Sequence, residues 1–329
     1  MTIYTELQAR ALTAIRRTTP RHKWDSIADI VTRDRQKIEG HLKAEPPSDN
    51  YRHLLTQLKT QSHTRLPLTV PNVDEVRRYF EINPVYKGSH IFSFDGRPQQ
   101  MADVRAGFPM AGYRADQVLR APGLIDVLND PRLIDLIEAY LGCVPTLYSV
   151  NAWWSHPANK PEMTNVQFFH RDTDDWRFVT LFIYLTDVDS ESGPHQLVPG
   201  SHSLAGMREL VRKASWWPRF DVERSFVDDM GEDFSRDCDR LFGSMAVDIT
   251  GPAGSMALVN TLALHRGLVP RRTARFVVWA RYGLGPNTNS ADLEMGPLGL
   301  RQVSTSLQDT PRNRYINRLL FEFDRRPEN

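Results

Sequence analysis

The feature that most constrains this chain is a run of short apolar segments between residues 145 and 285, punctuated by Gly/Pro turns. Strands are expected at 146–153, 165–170, 177–187, 195–198, 246–250, 255–260, 262–266 and 273–282. The turn signals are Glu191-Ser192-Gly193-Pro194, Pro199-Gly200-Ser201 and Gly251-Pro252-Ala253-Gly254. Short strands with no helix between most of them argue for antiparallel sheets packed as a sandwich or jelly roll. Residues 1–144 read as helices and loops, and one helix is sharply written there. Asp130 is a good N-cap, Pro131 suits the first helical position, and Leu133, Ile134, Leu136, Ile137, Tyr140 and Leu141 recur at helical spacing before Gly142. A second helix is expected from Asn313 to Asp324, with Tyr315, Ile316, Leu319, Leu320 and Phe323 on one face. The expected fold class is therefore mainly β with flanking helices. The chain divides into an N-terminal helical part at 1–144, a β core at 145–285 with an insertion at 203–245, and a C-terminal extension at 286–329. All of these are read as one domain spanning 1–329.

Composition narrows the function class. Lys plus Arg number 41 and Asp plus Glu 40, so the formal net charge is +1 and no nucleic-acid partner is expected. No apolar run approaches the ~20 residues of a membrane span, so no membrane partner is expected. Cys143 and Cys238 are the only cysteines, too few for a disulfide framework or a Cys-based zinc site. The N-terminal stretch lacks the apolar region of a secretory signal, and the expected location is cytoplasmic.

The chemistry concentrates in two segments. NVQFFHRDTDDW places His170 and Asp172 two apart at the end of an expected strand, where both point to one side. NTLALHRGLVPRRTAR supplies His265 on a late strand. Two imidazoles and one carboxylate on one face of a metal, with open positions opposite, is the ligand geometry of non-haem Fe(II). Arg275 lies ten residues beyond His265, at the start of the last strand. A buried guanidinium there would grip a carboxylate with two parallel hydrogen bonds, which Lys cannot copy.

These segments resemble the phytanoyl-CoA dioxygenase (PhyH)-like family of Fe(II)/2-oxoglutarate-dependent oxygenases over roughly residues 120–285. The resemblance rests on LNDPRLIDLIEAYLG, HRD followed by a long apolar strand and YLTDVD, SGPHQLVPGSH, and GPAGSMALVNTLALHRG with its Arg. It implies a double-stranded β-helix (jelly-roll, cupin-like) core. It further implies iron bound by His170, Asp172 and His265, and the co-substrates 2-oxoglutarate, salt-bridged by Arg275, and O2. Asp172 occupies the position that related halogenases leave open, so the resemblance favours hydroxylation. The expected substrate is a small or carrier-linked metabolite, with biosynthetic tailoring or a sugar-type substrate as the setting. The alternative is a cupin-like isomerase or a non-catalytic jelly-roll binding protein.

Two departures stand out. The family Arg often lies eleven residues past the distal His, which keeps Arg271 and Arg272 in contention. His195 stands where the family often has a small or aliphatic residue; it can reach the pocket or serve the turn, and the sequence favours the turn. Thr180 and Gln167 are candidate co-substrate contacts, with Tyr184, Tyr148 and Asn151 as further candidates to line the site. His156 and His202 are expected in turns. The insertion carries Trp216-Trp217 with Arg208, Arg212, Lys213, Arg219 and Arg224, then acids from Asp228 to Asp239. It reads either as a cover over the barrel mouth or as a solvated helical excursion.

Overall fold

The computed structural model of the chain describes residues 11–12, 14–42, 49–88, 97–101, 110–157, 165–214, 220–226, 231–285 and 297–323. Twelve strands are described: β1 (His63–Thr69), β2 (Tyr86–Lys87), β3 (Met110–Tyr113), β4 (Thr146–Ser155), β5 (Phe178–Tyr184), β6 (His195–Leu197), β7 (Val247–Ile249), β8 (Ser255–Val259), β9 (His265–Gly267), β10 (Arg275–Gly283), β11 (Leu298–Gly299) and β12 (Phe321–Glu322). A seven-stranded sheet runs β1-β8-β5-β10-β4-β3-β2, and a three-stranded sheet runs β7-β6-β9. Every pairing in these two sheets is antiparallel.

Period-2 patterning sorts the large sheet into two faces. Val179, Leu181 and Ile183 of β5, Met256 and Leu258 of β8, and Phe276, Val278 and Ala280 of β10 face outward into the main core, against the helices. Phe182, Tyr184, Ala257, Val259, Val277 and Trp279 face inward and pack on Leu197 and Ile249 of the small sheet. Alternation puts two arginines on that inner face as well. Register stacks the inner face of β4, β10 and β5 in rows: Ser155–Arg275, Trp153–Val277–Tyr184, Asn151–Trp279–Phe182 and Ser149–Arg281–Thr180.

The helix written at Asp130 forms over Pro131–Leu141, with the Asp130 carboxylate accepting from Arg132 N at 2.9 Å. It buries Leu133, Ile134, Leu136, Ile137 and Leu141 in the main core. At roughly 1.5–3 kcal/mol per fully buried aliphatic side chain, this face outweighs any propensity term.

Several expectations need correction. "Mainly β" is too narrow: with helices at Trp24–Glu39, Asp49–Gln61 and Val73–Ile82, and at Leu204–Lys213 and Glu232–Phe242 in the insertion, the fold is mixed helix and antiparallel sheet. The expected strand at 165–170 is a tight 3-10 turn over Asn165–Gln167, and only His170 bridges to a neighbour. A single rung with His265 is all the partner surface that the small sheet offers. The strand expected at 262–266 begins at His265, because residues 260–263 turn back through Ala263 N to Asn260 O at 3.0 Å. The tail helix stops at Asn317, and the chain then pairs Phe321 with Leu298 in a parallel ribbon. Residues 1–144 also contain β1, which pairs with β8 at the sheet edge.

Candidate metal and co-substrate site

His170 and His265 meet through their main chains. His170 N donates to His265 O at 2.9 Å and His265 N donates to His170 O at 3.0 Å. The side chains extend to the same place, with ring centroids 4.1 Å apart. Asp172 follows, tied by its own N–H to Thr261 O at 2.9 Å. Ligand atoms of His170, Asp172 and His265 all lie within 4.8 Å of one another. His170 Nε2 is 3.9 Å from Asp172 Oδ1, and His265 Nε2 is 3.7 Å from Asp172 Oδ2.

The donor set suits a metal in a specific way. His170 Nδ1 lies 2.8 Å from Phe168 O, and His265 Nδ1 lies 2.9 Å from Ala263 O. A carbonyl can only accept, so each Nδ1 carries a proton, and the neutral form of each ring has its lone pair on Nε2, on the side of Asp172. Burial, and the neighbouring His170, push the His265 pKa down to about 3, which keeps that ring neutral at working pH. Burial alone would raise the Asp172 pKa. The Arg281 guanidinium, with the Thr261 hydroxyl hydrogen-bonded to the carboxylate, overcomes burial and holds the carboxyl well below its usual range. Two neutral nitrogens and one anionic oxygen make an N2O set for a divalent cation.

Sequence reasoning missed the groups that hold Asp172. Arg281 Nη2 donates to Asp172 Oδ2 at 2.7 Å, and Nη1 donates to Asp174 Oδ2. The guanidinium also lies over the Trp279 ring, 4.4 Å from its centroid. The Thr261 hydroxyl hydrogen-bonds Asp172 and sits 3.0 Å from the Thr180 hydroxyl. The signal for Arg281 was available: it lies six residues beyond Arg275 on one strand, so both share the inner face.

At the other end of that face stands Arg275, 5% exposed. Its Nη1 donates to Gly193 O and its Nη2 to Ser155 Oγ at 3.3 Å. No carboxylate pairs with it among the described residues, and its Nε has no hydrogen-bond partner among them. Burial lowers its pKa, as expected of an uncompensated buried cation. Room for the guanidinium exists because position 267 is glycine: a Cβ there would lie 3.1 Å from Arg275 Nη2. The Gly193 carbonyl is delivered by a left-handed turn at φ 68°, where a Cβ would collide with Leu268 O at 2.3 Å. Arg271 and Arg272 lie elsewhere, 77% and 80% exposed, both beside Glu191.

The remaining candidates divide. Thr180 is buried behind Asp172 on the Thr261 hydroxyl. Gln167 is buried in the turn before His170. Tyr184 donates to Ile249 O at 2.7 Å and accepts from His195 N at 3.3 Å, a structural pairing of the two sheets. Tyr148 packs with Phe169 and Phe178 beside Asp174. His156 stacks on Trp154 outside the triad, and His202 Nδ1 lies 2.7 Å from Ser62 Oγ beside the turn. His195 is in the site: its ring centroid is 4.4 Å from Phe182 and 5.2 Å from His265.

The insertion packs its two helices over Phe169, Leu262 and Leu264. Arg266 clamps it with paired bonds to Asp239 at 2.8 and 2.9 Å. Buried Arg171 ties Ser201 O, Leu262 O and Ser225 O together. Arg208, Arg212 and Lys213 are exposed beside Glu209 and Glu223. Trp216, Trp217, Arg219 and Asp228 fall outside the described residues. Among the described residues, no helix is long and apolar enough to cross a membrane.

His170, Asp172 and His265, a group able to hold a metal, lie at one end of an inner face and buried Arg275 at the other; the class comes from sequence comparison. The phytanoyl-CoA dioxygenase (PhyH) family model matches residues 96–268, more than half of the 329, and the chain belongs to that family. It is accordingly an iron- and 2-oxoglutarate-dependent enzyme, with Fe(II), 2-oxoglutarate and O2 as its cofactor and co-substrates. No curated protein matches the chain. Among solved structures it is similar to the carbocyclase SnoK from nogalamycin biosynthesis, at 16% identity over 77% of this chain and 94% of that one, TM-score 0.46. It is also similar to EctD from S. alaskensis, at 15% identity over 86% and 90%, TM-score 0.44. The epimerase SnoN gives 18% identity over 71% and 82%, TM-score 0.43.

Proposed function

We propose that the protein hydroxylates a small or carrier-linked metabolite, with iron held by His170, Asp172 and His265 and the remote carboxylate of 2-oxoglutarate held by Arg275. The scaffold is then a double-stranded β-helix over 145–285, within one oxygenase domain comprising the whole chain. The observation that carries this reading is the buried Arg275 guanidinium, which lacks a carboxylate partner among the described residues and shares an inner face with Arg281, the partner of Asp172.

Bound to the triad, iron supplies oxidation of a C–H bond coupled to decarboxylation of 2-oxoglutarate to succinate. The chain's own residues set up that chemistry. The carbonyls of Phe168 and Ala263 hold the Nδ1–H groups, which leaves Nε2 as the ligand atom of each neutral ring. Arg281 keeps Asp172 charged and oriented. Arg275 fixes the far end of the dicarboxylate, which sets the direction in which its 2-oxo acid end points. Phe182, Val277 and Trp279 line the interior with apolar surface and exclude water. Asp172 fills the third protein position, which favours hydroxylation over halide transfer.

The test is O2-dependent succinate formation as a function of 2-oxoglutarate in the wild type and in Arg271→Ala, Arg272→Ala and Arg275→Ala, with iron content measured beside it. Loss of a buried two-pronged partner should weaken apparent 2-oxoglutarate affinity roughly a hundredfold or more in Arg275→Ala. Arg275→Lys should recover little of that, and the two exposed neighbours should behave as wild type. His170→Ala should lose iron. A normal 2-oxoglutarate dependence in Arg275→Ala would remove the anchor assignment. No succinate from the wild type with iron, O2 and a metabolite panel would favour a binding or isomerase role.

A further inference from the structure

His195 is a polar side chain in an apolar setting. It is 6% exposed, and its Nε2 is buried with no hydrogen-bond partner among the described residues. Leaving such a nitrogen unmatched costs on the order of 1–3 kcal/mol, so an unmatched one gains by acquiring a partner.

Its position says what that something is. In the small sheet His195 stands across the ladder from Gly267, while Leu197 stands across from His265. Side chains opposite one another on an antiparallel ladder lie roughly 4.5–5.5 Å apart at Cβ. Gly267 has no side chain, and the Arg275 guanidinium occupies the space over it, with Nη2 3.1 Å from where a Cβ would be. His195 therefore flanks the guanidinium on one side and stacks toward His265 on the other. Its ring also covers Phe182, whose row lies between that of Arg281 and that of Arg275. An unmatched imidazole nitrogen beside a buried cation fits a polar, anionic occupant.

We infer that His195 is the second arm of the carboxylate anchor: its N–H donates to the same remote carboxylate of the dicarboxylic co-substrate that Arg275 grips. An imidazole N–H beside the guanidinium supplies a further hydrogen-bond donor, which a small or aliphatic residue at this position cannot. The inference rests on the proposed role of Arg275.

The experiment measures 2-oxoglutarate binding to the Fe(II)-loaded protein without O2, by calorimetry and tryptophan quenching, so that no turnover is involved. The variants are His195→Phe, which keeps the ring packing on Phe182 and His265; His195→Leu, a second apolar choice; His195→Gln, which restores a donor; Arg275→Ala; and the double variant His195→Phe/Arg275→Ala. Iron content and thermal melting establish that each is folded and loaded. Loss of one hydrogen bond to a charged group should weaken binding about tenfold to a hundredfold in the Phe and Leu variants, and Gln should recover most of it. The two sites should be non-additive, because both hold one carboxylate. 2-Oxobutanoate, which has no remote carboxylate, should bind wild type and His195→Phe alike. If Arg275→Ala weakens binding and neither apolar variant does, the His195 inference is wrong and the Arg275 reading stands. If Arg275→Ala binds 2-oxoglutarate normally, the Arg275 reading falls and takes this inference with it. An equal loss for 2-oxobutanoate would place His195 at the other end of the co-substrate and overturn the inference.

Discussion

Replacing Arg281 with Met keeps most of the side chain's length and apolar stem and removes only the charge. In the wild type that charge serves two carboxylates, Asp172 at 2.7 Å and Asp174, with side-chain exposures of 12%, 16% and 19% for the three residues. Burial this deep leaves little solvent to screen the loss. Removing one member of a buried ion pair costs about 3–5 kcal/mol, since the remaining charges are left uncompensated. Unfolding entropy of ~2.1 cal/mol/K per residue over 329 residues gives about 0.7 kcal/mol/K, so the melting temperature should fall by about 4–7 °C. The assay is thermal unfolding of the chelated protein, because a bound cation would replace the missing charge. The sign with pH follows from Asp172, whose folded pKa lies below its unfolded value of ~3.9. Its stabilisation is present above that unfolded value and is lost as pH falls through the folded one. The deficit of Arg281→Met should therefore be full at pH 7 and shrink in acid, and Asp174→Asn in the variant background should recover part of it. A shift below about 1 °C at pH 7, or a deficit unchanged down to pH 3, would refute the pairing as a source of stability.

Two further outcomes are expected. Burial, with Arg21 and Arg171 nearby, pulls the His202 pKa down to about 4, so the unfolded chain takes up a proton below pH ~6.5 that the folded protein refuses. Chelated wild type should lose up to about 3 kcal/mol relative to His202→Gln between pH 6.5 and 4, read from chemical denaturation, and parallel curves for the two would contradict this. Burial pushes the Cys143 and Cys238 thiols up to about 12, so iodoacetamide at pH 8 should label neither residue before unfolding, by peptide mass spectrometry.

The parts of this molecule that sequence exposed are those with a single dominant period or spacing. Helix Pro131–Leu141 and strands β4, β5 and β10 carry long, regular apolar faces, and their burial leaves one solution. His170, Asp172 and His265 could be picked out because a metal needs such donors on neighbouring backbone. Sequence divided HRDTDD only in part: the spacing from His170 singled out Asp172 and left Asp174 and Asp175 without roles. Three carboxylates lie within four residues: Asp172 lies with the two histidines, Asp174 meets Arg281, and Asp175 accepts the N–H groups of Trp176, Leu284 and Gly285. Nothing local marks the roles of the last two, because Arg281, Leu284 and Gly285 come from about a hundred residues away. The strand expected at 165–170 failed for a related reason: an apolar run such as VQFF specifies burial, whereas a strand also needs an edge to pair with. Strand β1 escaped notice because Pro67 interrupts it, and an edge position tolerates that.

The rung joining His170 and His265 is made of main chain alone. Its two hydrogen bonds use no side-chain atom, so they are open to any residue but proline at those positions. The pair behaves as a socket whose contacts can be exchanged while the frame stays fixed. Cys, Glu or Gln placed at either position would project from the same backbone rung toward the same point. Coordination chemistry at this site can therefore be rewritten by single substitutions, a freedom that a ligand pair positioned by loops would not offer.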